Sequence, residues 1–225
     1  MQIDAYFTGL RPSIFMRRAE WEHRMNKGFL DLPEERQRSI INAGFQVFAQ
    51  NSYKKAHAAE IASVAGISKA LLFYHFKNKK ELYLYLWNKS FGIVARELDK
   101  AGVMKTNDYF EMLHRSLVGK CNVMRMYPYA MEFALRVYYE KDPDVAGDIQ
   151  HDFEQVNRQA EKKVLDRIDT SPFREGIDFA MMYQEMVWAA DGYMRNAMMQ
   201  SRIDPDLLEA DFEKLIVFWK SMYLR

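Results

Sequence analysis

Between Lys54 and Lys80 the chain carries six lysines, Lys54, Lys55, Lys69, Lys77, Lys79 and Lys80, against the single carboxylate of Glu60. The whole chain of 225 residues has a formal charge of only +1, so this is a local cationic patch on a nearly neutral molecule. Ammonium groups at that density suit a row of phosphates, and a molecule so balanced elsewhere would hold nucleic acid at one place rather than coat it indiscriminately. Other chemistries have little to work with. The single Cys121 excludes an intramolecular disulfide and a cysteine-based zinc finger. His23, His57, His114 and His151 lack carboxylate partners at ligand spacing, and "HDFE" at His151 to Glu154 reads as an exposed helix turn, so no metal and no cofactor are expected. No nucleophile elbow, phosphate loop or cysteine–histidine arrangement points to an enzyme.

The patch must be positioned by helices. Strand signals are nearly absent, and 10 glycines and 6 prolines are too few for a many-turned β fold, so the fold class is all-α. With 49% hydrophobic residues the chain can bury a proper core. No apolar run approaches the roughly 18 residues that span a bilayer, and no secretory signal leads the chain, so a cytoplasmic protein with no membrane partner is expected. Residues 1–30 read as an extension without a sustained period. Residues 1–24 fit an extra helix or a mis-assigned start, with Met25 a natural second one.

From Pro33 the pattern sharpens. Pro33 suits a helix's first turn, Glu34 and Glu35 its positive end, and Ile40, Ile41, Phe45, Val47 and Phe48 recur at helical spacing until "QNSY". A short second helix from Ala58 to Ala65 turns Ile61, Ala62 and Val64 inward. Gly66 supplies a tight left-handed turn, and Ser68 the N-cap of a third helix over Lys69 to Phe76. On that helix Leu72, Phe73 and Phe76 share the buried face, Ala70, Leu71 and Tyr74 the outward one, and His75 lies at the edge. An outward face made of small, apolar and aromatic side chains, bracketed by lysines, is the layout of a helix-turn-helix that meets DNA.

These residues resemble the tetracycline-repressor (TetR) family of transcriptional regulators. The match covers about Pro33 to Leu82 and rests on Ile61, Ala62, Ala65, Gly66, Ile67, Ser68, Lys69, Leu72, His75, Phe76, Asn78, Lys79, Glu81 and Leu82. The resemblance implies a DNA-binding domain over 31–82, with the helix-turn-helix at about 57–76. It places Ser68, Lys69, Ala70, Leu71, Phe73, Tyr74 and His75 at the groove, Lys77 beside it, and His57 and Lys79 on phosphates. Two departures stand out. Ala56, His57 and Ala58 occupy a place where the family often has Thr or Ser. Leu71 and Phe73 replace residues that could hydrogen-bond, and apolar contact with thymine methyls can partly substitute.

After Leu82 the helical pattern continues to Gly102, then over Asp108 to Met126, "YAMEFALRVYYEKD", Val145 to Ile168, Arg174 to Ser201 and Asp206 to Tyr223. The resemblance implies that 83–225 form a larger ligand-binding and dimerisation domain. It also implies a homodimer through the last two helices, Phe173 to Ser201 and Asp206 to Tyr223, palindromic double-stranded operator DNA, and release from that operator by a small-molecule effector. Fifteen methionines suit an adaptable apolar pocket. Candidate lining residues are Met112, Met124, Met131, Phe133, Tyr138, Met182, Met186 and Trp188, with Met181 and Tyr183 nearby. Glu132, Arg136, Asp191 and Arg195 could orient a polar group or form surface ion pairs. The effector expected is small and largely apolar or aromatic. The alternatives are a DNA-binding regulator without an inducer, and a helical ligand carrier or enzyme.

Overall fold

A computed structural model describes residues 27–200 and 203–225; residues 1–26 of the expected extension, His23 among them, and Ser201 lie outside the described residues, whereas 27–30 of that extension are helical and bury Phe29. The helices are α1 (Lys27–Leu30), α2 (Glu34–Gln50), α3 (Ala58–Val64), α4 (Lys69–Phe76), α5 (Lys79–Lys100), α6 (Tyr109–Met126), α7 (Ala130–Tyr138), α8 (Ala146–Leu165), α9 (Phe179–Gln200) and α10 (Pro205–Tyr223). A 3-10 turn, Val103–Lys105, follows α5, and the only β pairing among the described residues is a bridge between Phe173 and Leu224. The all-α class holds. No helix among these residues is long and apolar enough to cross a membrane.

Packing divides the chain into two compact units, residues 27–93 with Met126–Glu154, and Val94–Arg125 with Gln155–Arg225. The first unit therefore holds more than the expected 31–82. It includes α7, because the Phe133 ring lies 5.1 Å from that of Phe45 on α2 and 5.5 Å from that of Tyr83 on α5. Phe48 completes the cluster at 4.8 Å from Tyr83. These fully buried aromatic rings meet in tilted and edge-on pairs, each contributing beyond its burial. Helices α2 and α5 approach closely where Gly44 sits, since a β-carbon there would stand 2.5 Å from Leu86 Cδ1. Any larger residue must displace a buried leucine.

In the second unit, Phe110 of α6 stacks on Phe173 at 5.9 Å, and Phe173 meets Phe179 of α9 edge-on at 5.1 Å. Arg125 joins α6 to α10, its Nη2 donating to Asp206 and Glu209 at 2.6 Å each. Asp204 caps α10 by accepting from the Asp206 and Leu207 amides, with Pro205 as the first helical residue. Helix α9 starts at Phe179 rather than Arg174. The residues before it are committed elsewhere: the Arg174 amide donates to the Tyr223 carbonyl and the Arg225 amide to that of Pro172.

Candidate nucleic-acid interface

The corner between α3 and α4 is closed by backbone geometry. Gly66 has φ +65, its amide donates to the Ser63 carbonyl, and the Ile67 amide reaches back to the Ala62 carbonyl at 3.0 Å. This paired closure is a Schellman motif, and its left-handed residue favours glycine because a β-carbon there is costly. Ser68 then starts α4, its hydroxyl accepting the Leu71 amide at 3.1 Å. Helix α4 ends at Lys77, φ +50, across which the Asn78 amide donates to the Phe76 carbonyl. Asn78 Oδ1 caps α5 through the Glu81 amide at 2.9 Å.

On α4 the split into two faces is largely as expected, with one exchange. Leu72 and Phe76 are buried, Phe73 is half-buried, and Lys69, Ala70, Leu71 and Tyr74 are exposed. Leu71 and Tyr74 keep 40% and 60% of their surface open to solvent. His75 is not at the edge: it is 3% exposed, 5.5 Å from the Phe29 ring and 6.4 Å from that of Phe76. Neither ring nitrogen has a hydrogen-bond partner among the described residues. Burial pushes this imidazole below its ordinary pKa, which keeps it neutral. The structure therefore places His75 in the core rather than at the edge of the exposed face.

Lys79 has partners within the chain. Its Nζ donates to the carbonyls of Tyr53 at 2.8 Å and Ala56 at 3.2 Å, and sits 4.4 Å from the Tyr53 ring centroid. The ammonium is thus satisfied inside the protein, where it ties the start of α5 to the loop between α2 and α3. Val64, expected to face inward, is exposed. His57 is exposed at the N-cap of α3 and makes no side-chain capping bond. Lys54 and Lys55 are exposed in the loop before α3, Lys77 just after α4, and Lys80 in the first turn of α5.

Sequence reasoning missed the supports of the α2–α3 loop. Arg136 Nε donates to the Ala49 carbonyl at 2.5 Å, and the Glu140 carboxylate accepts the Tyr53 amide at 2.7 Å. Arg136 therefore serves the first unit's architecture, while Asp191 and Arg195 form an ion pair one turn apart on α9 at 2.7 Å. Glu132 is buried in α7.

The expected ligand residues fall into both units. Met112, Met124, Met182 and Met186 are buried in the second, where the Tyr109 hydroxyl donates to Met186 Sδ at 3.2 Å. Trp188, in the same unit, is 59% exposed and lines no interior. Phe133, Met131 and Tyr138 belong to the first unit. Phe133 is filled in by aromatic neighbours as core, Met131 is half-buried, and Tyr138 lies at the surface.

Residues 40–86 match the family model for bacterial regulatory proteins, tetR family. The chain is 43% identical over 51 residues to the HTH-type transcriptional activator FasR of Mycolicibacterium smegmatis, a match covering 23% of each chain. It spans only 23% to 31% of the length of the curated relatives it matches. Among solved structures it resembles a TetR family transcriptional regulator from Chloroflexus aurantiacus, with TM-score 0.62, 19% identity, and coverage of 89% of this chain and 99% of the other. It also resembles FadR from Bacillus subtilis in complex with stearoyl-CoA, with TM-score 0.58, 18% identity, and coverage of 80% and 96%. Residues 40–86 thus match the amino-terminal domain of the bacterial regulatory proteins, tetR family, and the chain shares the fold of solved regulators of that family along most of its length.

Proposed function

We propose that this protein is a homodimeric, ligand-responsive transcriptional regulator, a repressor that leaves palindromic operator DNA when a small, largely apolar molecule binds. The observation that carries the DNA reading is the exposed face of α4, Lys69, Ala70, Leu71 and Tyr74, which follows the Gly66 turn and lies in a segment where Lys54, Lys55, Lys77 and Lys80 are also exposed. Helix α4 is the element for the major groove, with Ser68 at its capped start and Phe73 at its edge. His57 and the lysines are the phosphate contacts. Lys79 acts by fixing the loop that bears Lys54 and Lys55.

Dimerisation is assigned to α9 and α10. Trp188, Val217 (68% exposed) and Phe218 (55%) are open to solvent there, with Leu207 and Met222, and apolar surface on that scale marks an interaction site. Two copies of α4 must stand about 34 to 36 Å apart to enter successive major grooves. An effector that binds better to a dimer of another spacing shifts the population off DNA by its difference in affinity alone. For the effector we assign the buried second-unit side chains Met112, Met124, Met182 and Met186, flexible and polarizable groups suited to an apolar chain. The stearoyl-CoA held by the FadR relative belongs to that class. A gel shift of the full-length protein on its flanking intergenic DNA, with and without long-chain acyl thioesters, tests this reading. The expected result is a sequence-specific complex whose affinity falls steeply with salt and on adding the effector. Absence of any specific complex overturns the DNA reading, and a complex indifferent to acyl thioesters overturns the effector class.

A further inference from the structure

We propose that this regulator selects its operator chiefly by the C5-methyl group of thymine, read by Leu71, more than by hydrogen bonds to base edges. The proposal rests on the reading that α4 enters the major groove. Specific major-groove contacts normally come from Arg or Lys on guanine and from Asn or Gln on adenine. Helix α4, "KALLFYHF", contains no Arg, Asn, Gln, Asp or Glu. Of the polar groups that sequence alone offers at this site, the His75 ring is buried and the Ser68 hydroxyl already accepts the Leu71 amide, keeping only its O–H as a donor. The exposed cation of α4 is Lys69 at its first residue, whose ammonium lies 5.7 Å from the Phe73 ring.

What α4 presents in its first turn is apolar. Ala70 and Leu71 are its second and third residues, both exposed, in the N-terminal part of the helix that contacts base edges in this class of motif. The major-groove edge of an unmodified duplex offers one apolar group, the thymine methyl. Placed against cytosine N4 or guanine O6, Leu71 would strip water from a polar group and return no partner, which adds rejection to attraction. Leu71 is thus the specificity-determining residue and a thymine its target, on either strand of each half-site.

The test uses the full-length protein. Selection from a random duplex pool defines the half-site, and each of its thymines is then replaced by deoxyuridine, which keeps the O4 acceptor and base pairing but lacks the methyl. Burial of about one methyl-sized group is worth about fourfold in affinity. At one or two positions per half-site the replacement should therefore weaken binding about fourfold, and about sixteenfold when made in both halves. Leu71→Ala, at a largely open position, should bind the thymine and deoxyuridine operators equally at those positions, while its melting temperature stays that of the wild type. An enriched half-site whose thymines all tolerate deoxyuridine overturns the proposal while leaving DNA binding intact. So does a Leu71→Ala protein that still discriminates. A pool that yields no enriched sequence overturns the DNA reading itself.

Discussion

His75 shows how one side chain of α4, the helix proposed to enter the major groove, can pack in the core. In the unfolded chain its imidazole titrates near 6.5, and in the fold burial lowers that value. The unfolded state therefore binds the extra proton first as pH falls. This contribution to stability is fully present above about pH 6.5 and is lost as acidification proceeds below it. His75→Leu, which removes two buried nitrogens without partners, is expected to melt within about 1 kcal/mol of wild type at pH 7.5 and to lose less on going to pH 5. Its operator affinity at pH 7.5 should remain within about threefold of wild type, as for a residue that touches no phosphate. Thermal melts across that pH range and a filter-binding titration check both, and a folded variant with a large loss of affinity would return His75 to the interface. Lys79 carries the same lesson in charge: a lysine in a cationic patch can be spent on backbone carbonyls 23 and 26 residues away.

Among the elements, α7 is the one whose membership the packing decides. It joins the first unit through Phe133, with Arg136 and Glu140 holding the ends of the 49–53 stretch from 87 residues away. Phe133→Ala should cost about 3 to 5 kcal/mol, because it empties a cluster shared by α2, α5 and α7. Hydrogen exchange is the measurement: amides of α2 and of residues 79–93 should exchange faster, while those of α10 change little. Faster exchange confined to α7 would show that it is an appendage. The helix-turn-helix itself was legible in the sequence because its determinants are local. Gly66 at a positive φ, Ser68 capping Leu71, and the pattern of Leu72 and Phe76 each act within a few residues. Val64 was misplaced by periodicity because a seven-residue helix gives too few turns to fix its buried face.

For the whole molecule, the open apolar side chains of α9 and α10 are the surface to which the proposed dimer is assigned. Replacing both Val217 and Phe218 by Glu, at positions more than half exposed, should leave the fold intact and abolish the dimer. Sedimentation should then report a monomer of about 26.7 kDa. Operator affinity should fall at least a hundredfold, because the second half-site is no longer engaged at high effective concentration. A variant that remains dimeric would move the interface off these helices. The buried methionines of the second unit and the exposed Trp188 look alike in sequence, and only their burial separates interior from surface.

The sequence by itself determined most of the helices, the resemblance over the helix-turn-helix, and the corner that presents α4, since these depend on periodicity, capping and turn geometry over a few residues. Tertiary structure decided which side chains of that corner are open to solvent. It buried His75 among aromatic rings, occupied the Lys79 ammonium with backbone carbonyls, and brought α7 to the α2–α3 loop. The physical reason is that solvation of a side chain is set by whatever else packs against it. Those partners here lie tens of residues away, beyond the reach of any local pattern.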